Sequence, residues 1–134
     1  MKHAKGTFEV KIAPAETSAI GKEAGMGRMT IDKVFAGELE GTSKGEMLTG
    51  MTESTGAMAY VAIERVTGKL DGHAGSFILM HNATMNKNDP KSSRLQVVVV
   101  PGSGTDGLGG LTGTLTILID GTGKHSYDFE YELP

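Results

Sequence analysis

The sequence predicts an all-β protein, a single antiparallel β-barrel of about eight strands forming one domain over residues 1–134. Three observations carry this. Short runs rich in Val, Ile, Thr and Phe alternate with polar residues at the two-residue period of a half-buried strand. Twenty glycines separate those runs, as turns and bulges do. At 134 residues the chain is long enough to bury one core and too short for two.

Each element follows in order. Thr7 to Ile12 alternates strictly, with Phe8, Val10 and Ile12 on one face. Residues 13 to 25 lack sustained periodicity and are expected to form a loop, with room for a short helical turn between Ala15 and Glu23. Arg28 to Gly37 is a second strand, with Met29, Ile31 and Phe35 on one parity and Arg28, Thr30, Asp32 and Val34 on the other. Glycines flank Leu39 at Gly37 and Gly41, which predicts a tight bend or bulge before a third strand running to about Thr52. After the turn residues Glu53 to Gly56, Ala57 to Leu70 forms a long fourth strand in which Tyr60, Ala62, Glu64 and Val66 share a face.

A turn at Asp71-Gly72 leads to a fifth strand, Gly75 to Thr84, where Phe77, Leu79 and His81 align. The polar segment Asn86 to Ser93 is a loop. Arg94 to Pro101 is a β-branched sixth strand, apolar on both parities and expected to be covered on both faces. A glycine-rich stretch, 102 to 110, precedes a seventh strand from Thr112 to Asp120. The hairpin signal Asp120-Gly121-Thr122-Gly123 then leads to His125–Leu133, in which His125, Tyr127, Phe129, Tyr131 and Leu133 alternate with polar residues. Short turns throughout favour a meander, and closure into a barrel leaves no edge strand exposed. A two-sheet sandwich is the architectural alternative.

Composition excludes several functions. Cysteine is absent, so disulfides, thiolate metal sites and cysteine nucleophiles are all excluded. The charge of −3 is mild and the basic residues are scattered, which argues against nucleic acid as a partner. Neither a signal-peptide core nor a long apolar run is present, so a cytoplasmic location without membrane association is expected.

Phe35 to Gly41, Tyr60 to Val66, Gly75 to Asn82, Val99 to Thr105 with Gly113-Thr114-Leu115, and the closing Tyr127 to Pro134 together resemble a bacterial family of domains of unknown function (the 3224 family), whose members look like allene oxide cyclase barrels. The resemblance spans nearly the whole chain and implies a fold. It implies no activity, because the family has none established to carry over; the plant cyclases of similar shape act on an unstable fatty-acid epoxide in an apolar cavity, and no catalytic residue of theirs is carried over to this sequence.

Among chemistry-bearing residues, Glu64 and His81 stand out as ionisable side chains on apolar strand faces, and Tyr60 shares the face of Glu64. Together they are the candidate acid–base cluster; the alternative is a satisfied polar network. Arg28, Glu46, Phe77 and Gln96 are candidates for ligand contact, and Arg28 and Arg65 would hold an anionic group if they point inward. The methionines, Met47, Met51, Met58 and Met80 among them, either line an adaptable pocket or fill the core. No cofactor or metal site is expected: His73 and His81 lie about 26 Å apart along one strand, too far to share an ion. Gly102 to Gly107 fits G-x-G-x-x-G but leads into a strand rather than a helix, so it is a rim loop, able at most to gate a cavity.

Three functions remain. The first is a small apolar or amphipathic ligand bound in a cavity of several hundred cubic ångströms. The second is an isomerase or cyclase using Tyr60, Glu64 and His81, and the third a homodimer or other homo-oligomer formed through the Tyr127–Leu133 face.

Overall fold

A computed structural model describes residues 1–134. Eight antiparallel strands close into a barrel in sequence order: β1 (Lys2–Ala15), β2 (Gly27–Gly37), β3 (Leu39–Thr52), β4 (Ala57–Leu70), β5 (His73–Asn86), β6 (Arg94–Val99), β7 (Thr112–Ile119) and β8 (His125–Glu132). Closure comes from β1, which pairs with β2 over Gly6–Ala15 and with β8 over Lys2–Phe8. The sandwich alternative is thereby excluded. The loop between β1 and β2 holds one short helix, α1 (Ala19–Glu23), whose first turn is capped by the Ser18 hydroxyl accepting from the Gly21 amide at 3.1 Å.

Strand alternation assigns the two faces. Inward residues include Ile31, Lys33 and Phe35 on β2, Leu39 and Ser43 on β3, and Ala62, Glu64, Val66 and Leu70 on β4. Phe77, Leu79 and His81 on β5, Val97 and Val99 on β6, and Tyr127, Phe129 and Tyr131 on β8 complete the set. The other parity of β6 is uneven, with Gln96 exposed and Val98 half-covered, so the expected burial of both faces does not hold. No methionine belongs to the central apolar cluster.

The two ends of the barrel differ. At one end Leu39, Leu70, Phe77, Phe129, Leu108 and Leu111 are fully buried together, and the rings of Phe77 and Phe129 stack at 5.9 Å. The glycine-rich segment closes this end. Ser103 accepts from the Ile78 amide at 3.0 Å, Thr105 accepts from the Ser76 amide at 3.0 Å, and a short 3-10 turn at Asp106–Leu108 drives Leu108 into the core. This segment is therefore a fixed plug and not the gating rim loop that its glycines suggested; burial of two leucines holds it in place.

Tyr127 pins the bend between β2 and β3. Its hydroxyl accepts from the Leu39 amide at 2.9 Å and lies 3.1 Å and 2.9 Å from the carbonyl oxygens of Ala36 and Leu39, to one of which it donates. The close approach needs Gly37, which has a φ of 108° and whose absent Cβ would fall 2.7 Å from the Gly6 Cα.

The inward set also corrects the expected oligomer face. Tyr127, Phe129 and Tyr131 face the interior, leaving Asp128, Glu130 and Glu132 on the outside of β8. A row of like charges does not favour self-association there.

Candidate functional site

Midway along the barrel the apolar interior is interrupted by Lys33, Ser43, Glu64 and His81, all buried. Register brings them together: Lys33 pairs with Ser43 across β2 and β3, and His81 lies across from Ala62, one inward position from Glu64. Gly45 is the cross-strand partner of Glu64, and a Cβ there would fall 2.7 Å from the Glu64 Cα, so glycine allows the two strands to sit close beneath the carboxylate.

Glu64 is the hub. Its Oε1 accepts from Ser43 Oγ at 2.7 Å, while Oε2 accepts from Lys33 Nζ at 2.8 Å and from His81 Nε2 at 2.5 Å. Burial pushes the carboxyl pKa up, but the His81 hydrogen bond and the Lys33 charge oppose this and hold it at about 2, against an ordinary 4.5. Glu64 is thus an anion that can only accept hydrogen bonds. It follows that His81 directs an N–H at Nε2 toward it, leaving Nδ1 as the ring nitrogen not engaged by Glu64. Nδ1 makes no hydrogen bond within the chain, yet no buried polar side-chain atom lacks a partner, so Nδ1 is open to solvent.

Above the cluster the barrel opens into a cavity of about 140 Å³ lined by 12 residues, most of them hydrophobic. Phe8, Val10, Ile12, Ile31, Met47, Leu95, Ile117 and Ile119 form its walls, and Lys33, Tyr60, His81 and His125 supply its polar groups. This is smaller than the several hundred cubic ångströms expected from the sequence, because aromatic and leucine side chains fill the plugged half. Lys33 Nζ sits 4.9 Å from the centroid of the Phe8 ring and spends one donor on Glu64, which leaves two N–H groups. Burial and the nearby Glu64 charge raise the Tyr60 pKa, so its hydroxyl stays protonated and able to donate.

The sequence-derived candidates divide accordingly. Glu64 and His81 touch, while Tyr60 lines the cavity nearer the mouth and bonds to neither. Glu64 does not reach the cavity: it is fully buried with both oxygens engaged, so it acts only through Lys33 and His81. Arg28, Glu46 and Gln96 are outside the barrel. Arg28 Nε donates to Glu46 at 2.6 Å on the outer face, and Gln96 lies beside Asn82, 3.5 Å away, also outside. The parity that buries Ile31 and Ser43 on β2 and β3, and Val97 on β6, turns these three outward. Arg65 is exposed as well, so no arginine reaches the interior. Phe77 is inside but belongs to the packed end, away from the cavity.

Lys33 and Ser43 were not anticipated. The available signal was a lysine on the parity of Met29, Ile31 and Phe35, the same anomaly that singled out Glu64. Nowhere do three or more His, Asp or Glu side chains converge as a metal ion would need. No helix is long and apolar enough to cross a membrane.

No curated protein matches the chain. A crystal structure of a protein with unknown function from the DUF3224 family of Shewanella oneidensis MR-1 is similar at 44% identity and a TM-score of 0.88, over 100% of this chain and 98% of that one. The family model described as protein of unknown function (DUF3224) matches residues 4–131. The chain therefore belongs to the DUF3224 family.

Proposed function

We propose that this barrel binds a small apolar or amphipathic molecule at its open mouth. The observation that carries the reading is the convergence of Lys33, His81 and Tyr60, each with unspent hydrogen-bonding capacity, at one apolar cavity. Ligand sites combine apolar walls with a few oriented polar groups in this way. A cavity of about 140 Å³ suits a compact molecule or the end of a longer amphipathic chain. Lys33 and Tyr60 would donate to an oxygen on that molecule, and His81 would meet a polar group on it through Nδ1. The test is native mass spectrometry of protein purified without denaturation, comparing the wild type with Ile119→Trp, which fills the mouth from a 63% exposed position. A retained small molecule absent from the variant supports the reading. Equal occupancy in both refutes it.

The 2.5 Å contact between Glu64 and His81 favours a second reading, an isomerase or cyclase. A carboxylate that fixes the ring orients Nδ1 for general-base work, with the protonated Tyr60 as the acid. Turnover of the retained molecule that survives the combined changes Glu64→Gln, Tyr60→Phe and His81→Asn would end it.

A further inference from the structure

The outer surface of the barrel is uneven in a way the mouth does not explain. On β7, β8 and β1 the exposed outward residues are mostly polar or charged, among them Thr114, Thr116, Glu130 and Glu9, with Leu118 an isolated apolar exception at 53% exposed. On β3, β4 and β5 the outward residues include Leu48, Val61, Ile63 and Met80, which are 43, 55, 60 and 44% exposed. Cross-strand pairing makes these four contiguous: Leu48 is opposite Val61, and Ile63 is opposite Met80. They border a shallow groove of about 610 Å³ on the outer face. Single exposed apolar residues are ordinary on a protein surface, but four in one block across three strands mark a contact surface.

We propose that this face is an interface between two copies of the chain, packed sheet against sheet about a two-fold axis. Its extent is sufficient. Three paired strands of 14 residues present a surface roughly 45 Å by 15 Å, and flanking β2 and β6 bring it to the roughly 800 Å² per partner of a stable interface. The charges at its edge are self-complementary. Glu46 is the acid within the block and is next to Arg28; Lys44 and Arg65 lie one outward position further along β3 and β4. A two-fold axis running across the strands lays each strand over its own copy with the order of residues reversed. With the axis between the Leu48–Val61 row and the Glu46–Ile63 row, Val61 of one copy faces Ile63 of the other, and Glu46 faces Leu48 beside the other copy's Arg28. A second copy thus covers the apolar block and answers its charges, as an isologous interface requires.

Sedimentation equilibrium over a range of concentrations of the full chain tests this. The wild type is expected to form dimers, and Ile63→Glu, which places two carboxylates at the centre of the interface, is expected to weaken them at least roughly a hundredfold. Met80→Glu should act in the same direction. Ile63 is exposed, so the thermal midpoint of the monomeric variant, measured by circular dichroism, verifies that the barrel is intact. Thr116→Glu, on the opposite side, should leave the dimer unchanged. A wild type that stays monomeric at millimolar concentration overturns the proposal, as does a dimer that tolerates both glutamates or one that is lost equally with Thr116→Glu.

Discussion

Lys33 and Glu64, 31 positions apart in the sequence, meet inside the barrel with ammonium and carboxylate 2.8 Å apart and both side chains buried. Bringing two such charges out of water is costly, and their attraction repays the cost only when the remaining hydrogen bonds are also made. Here Ser43 and His81 make them. The pair therefore fixes the relative placement of β2 and β4 and sets Lys33 and His81 facing the mouth.

Removing one partner should be far worse than removing both. Glu64→Gln leaves the Lys33 ammonium without a counter-charge in an apolar interior and is expected to cost about 3–5 kcal/mol. Adding Lys33→Met restores neutrality and should recover part of that loss. Urea denaturation of the two single variants and the double variant measures the coupling. A Glu64→Gln protein as stable as the wild type would contradict the pairing.

The same carboxylate predicts an acid-sensitive stability. Its folded pKa of about 2 lies below the ordinary 4.5, so the folded state prefers the ionised form. The resulting stabilisation is fully present above the unfolded pKa and is lost as the pH falls from about 4.5 through about 2. At 1.36 kcal/mol per pH unit of difference it amounts to about 3 kcal/mol. Denaturation midpoints recorded across this range should fall for the wild type, and the fall should be shallower by that amount in Glu64→Gln. Parallel curves for the two proteins would show that Glu64 is not the titrating group.

Tyr127→Phe should test the pin at the β2–β3 bend. The change leaves the buried Leu39 amide without its partner, an expected cost of about 1–3 kcal/mol in denaturant unfolding. The mouth cavity lies elsewhere, so any ligand that co-purifies with the wild type should still be kept. If retention of that ligand fell together with stability, the bend and the mouth would be coupled in a way the separate placement of their residues does not predict.

The strands were legible because alternation and turn chemistry agree. β4 runs from Ala57 to Leu70 just as Glu53–Gly56 and Asp71-Gly72 bracket it. The first five residues of β1 were not legible: Lys2, His3 and Lys5 surround a single apolar inward residue, Ala4, and pairing with β8 makes them a strand. At five residues, α1 is too short to show a helical period. Among the site residues, Glu64 and His81 were visible as charges on apolar faces, whereas Lys33 was hidden because a lysine between Asp32 and Val34 is ordinarily solvated. The misplacement of Arg28 and Glu46 has one cause. Which parity faces inward on β2 and β3 depends on register with β1 and β4, and a single strand does not contain that information.

The barrel wall is weakest beside the proposed site, and this predicts where it opens. β4 and β5 are paired along their full lengths, Ala57–Leu70 with His73–Asn86, but β6 meets β7 through one pair, Val98 with Thr114. A seam with so little backbone pairing should separate at a lower free energy than global unfolding. Leu95 on β6 and Ile117 on β7 both line the mouth cavity, so parting of this seam widens the opening through which a molecule of more than a few atoms would enter. Amide hydrogen exchange followed by NMR should therefore find the protons directed across the seam in Arg94–Val99 and Thr112–Ile119 exchanging well before those of β3, β4 and β5. A ligand held at the mouth should slow them selectively. Seam amides as protected as those at the centre of β4 would mean that the wall does not part here and that entry is confined to the open end.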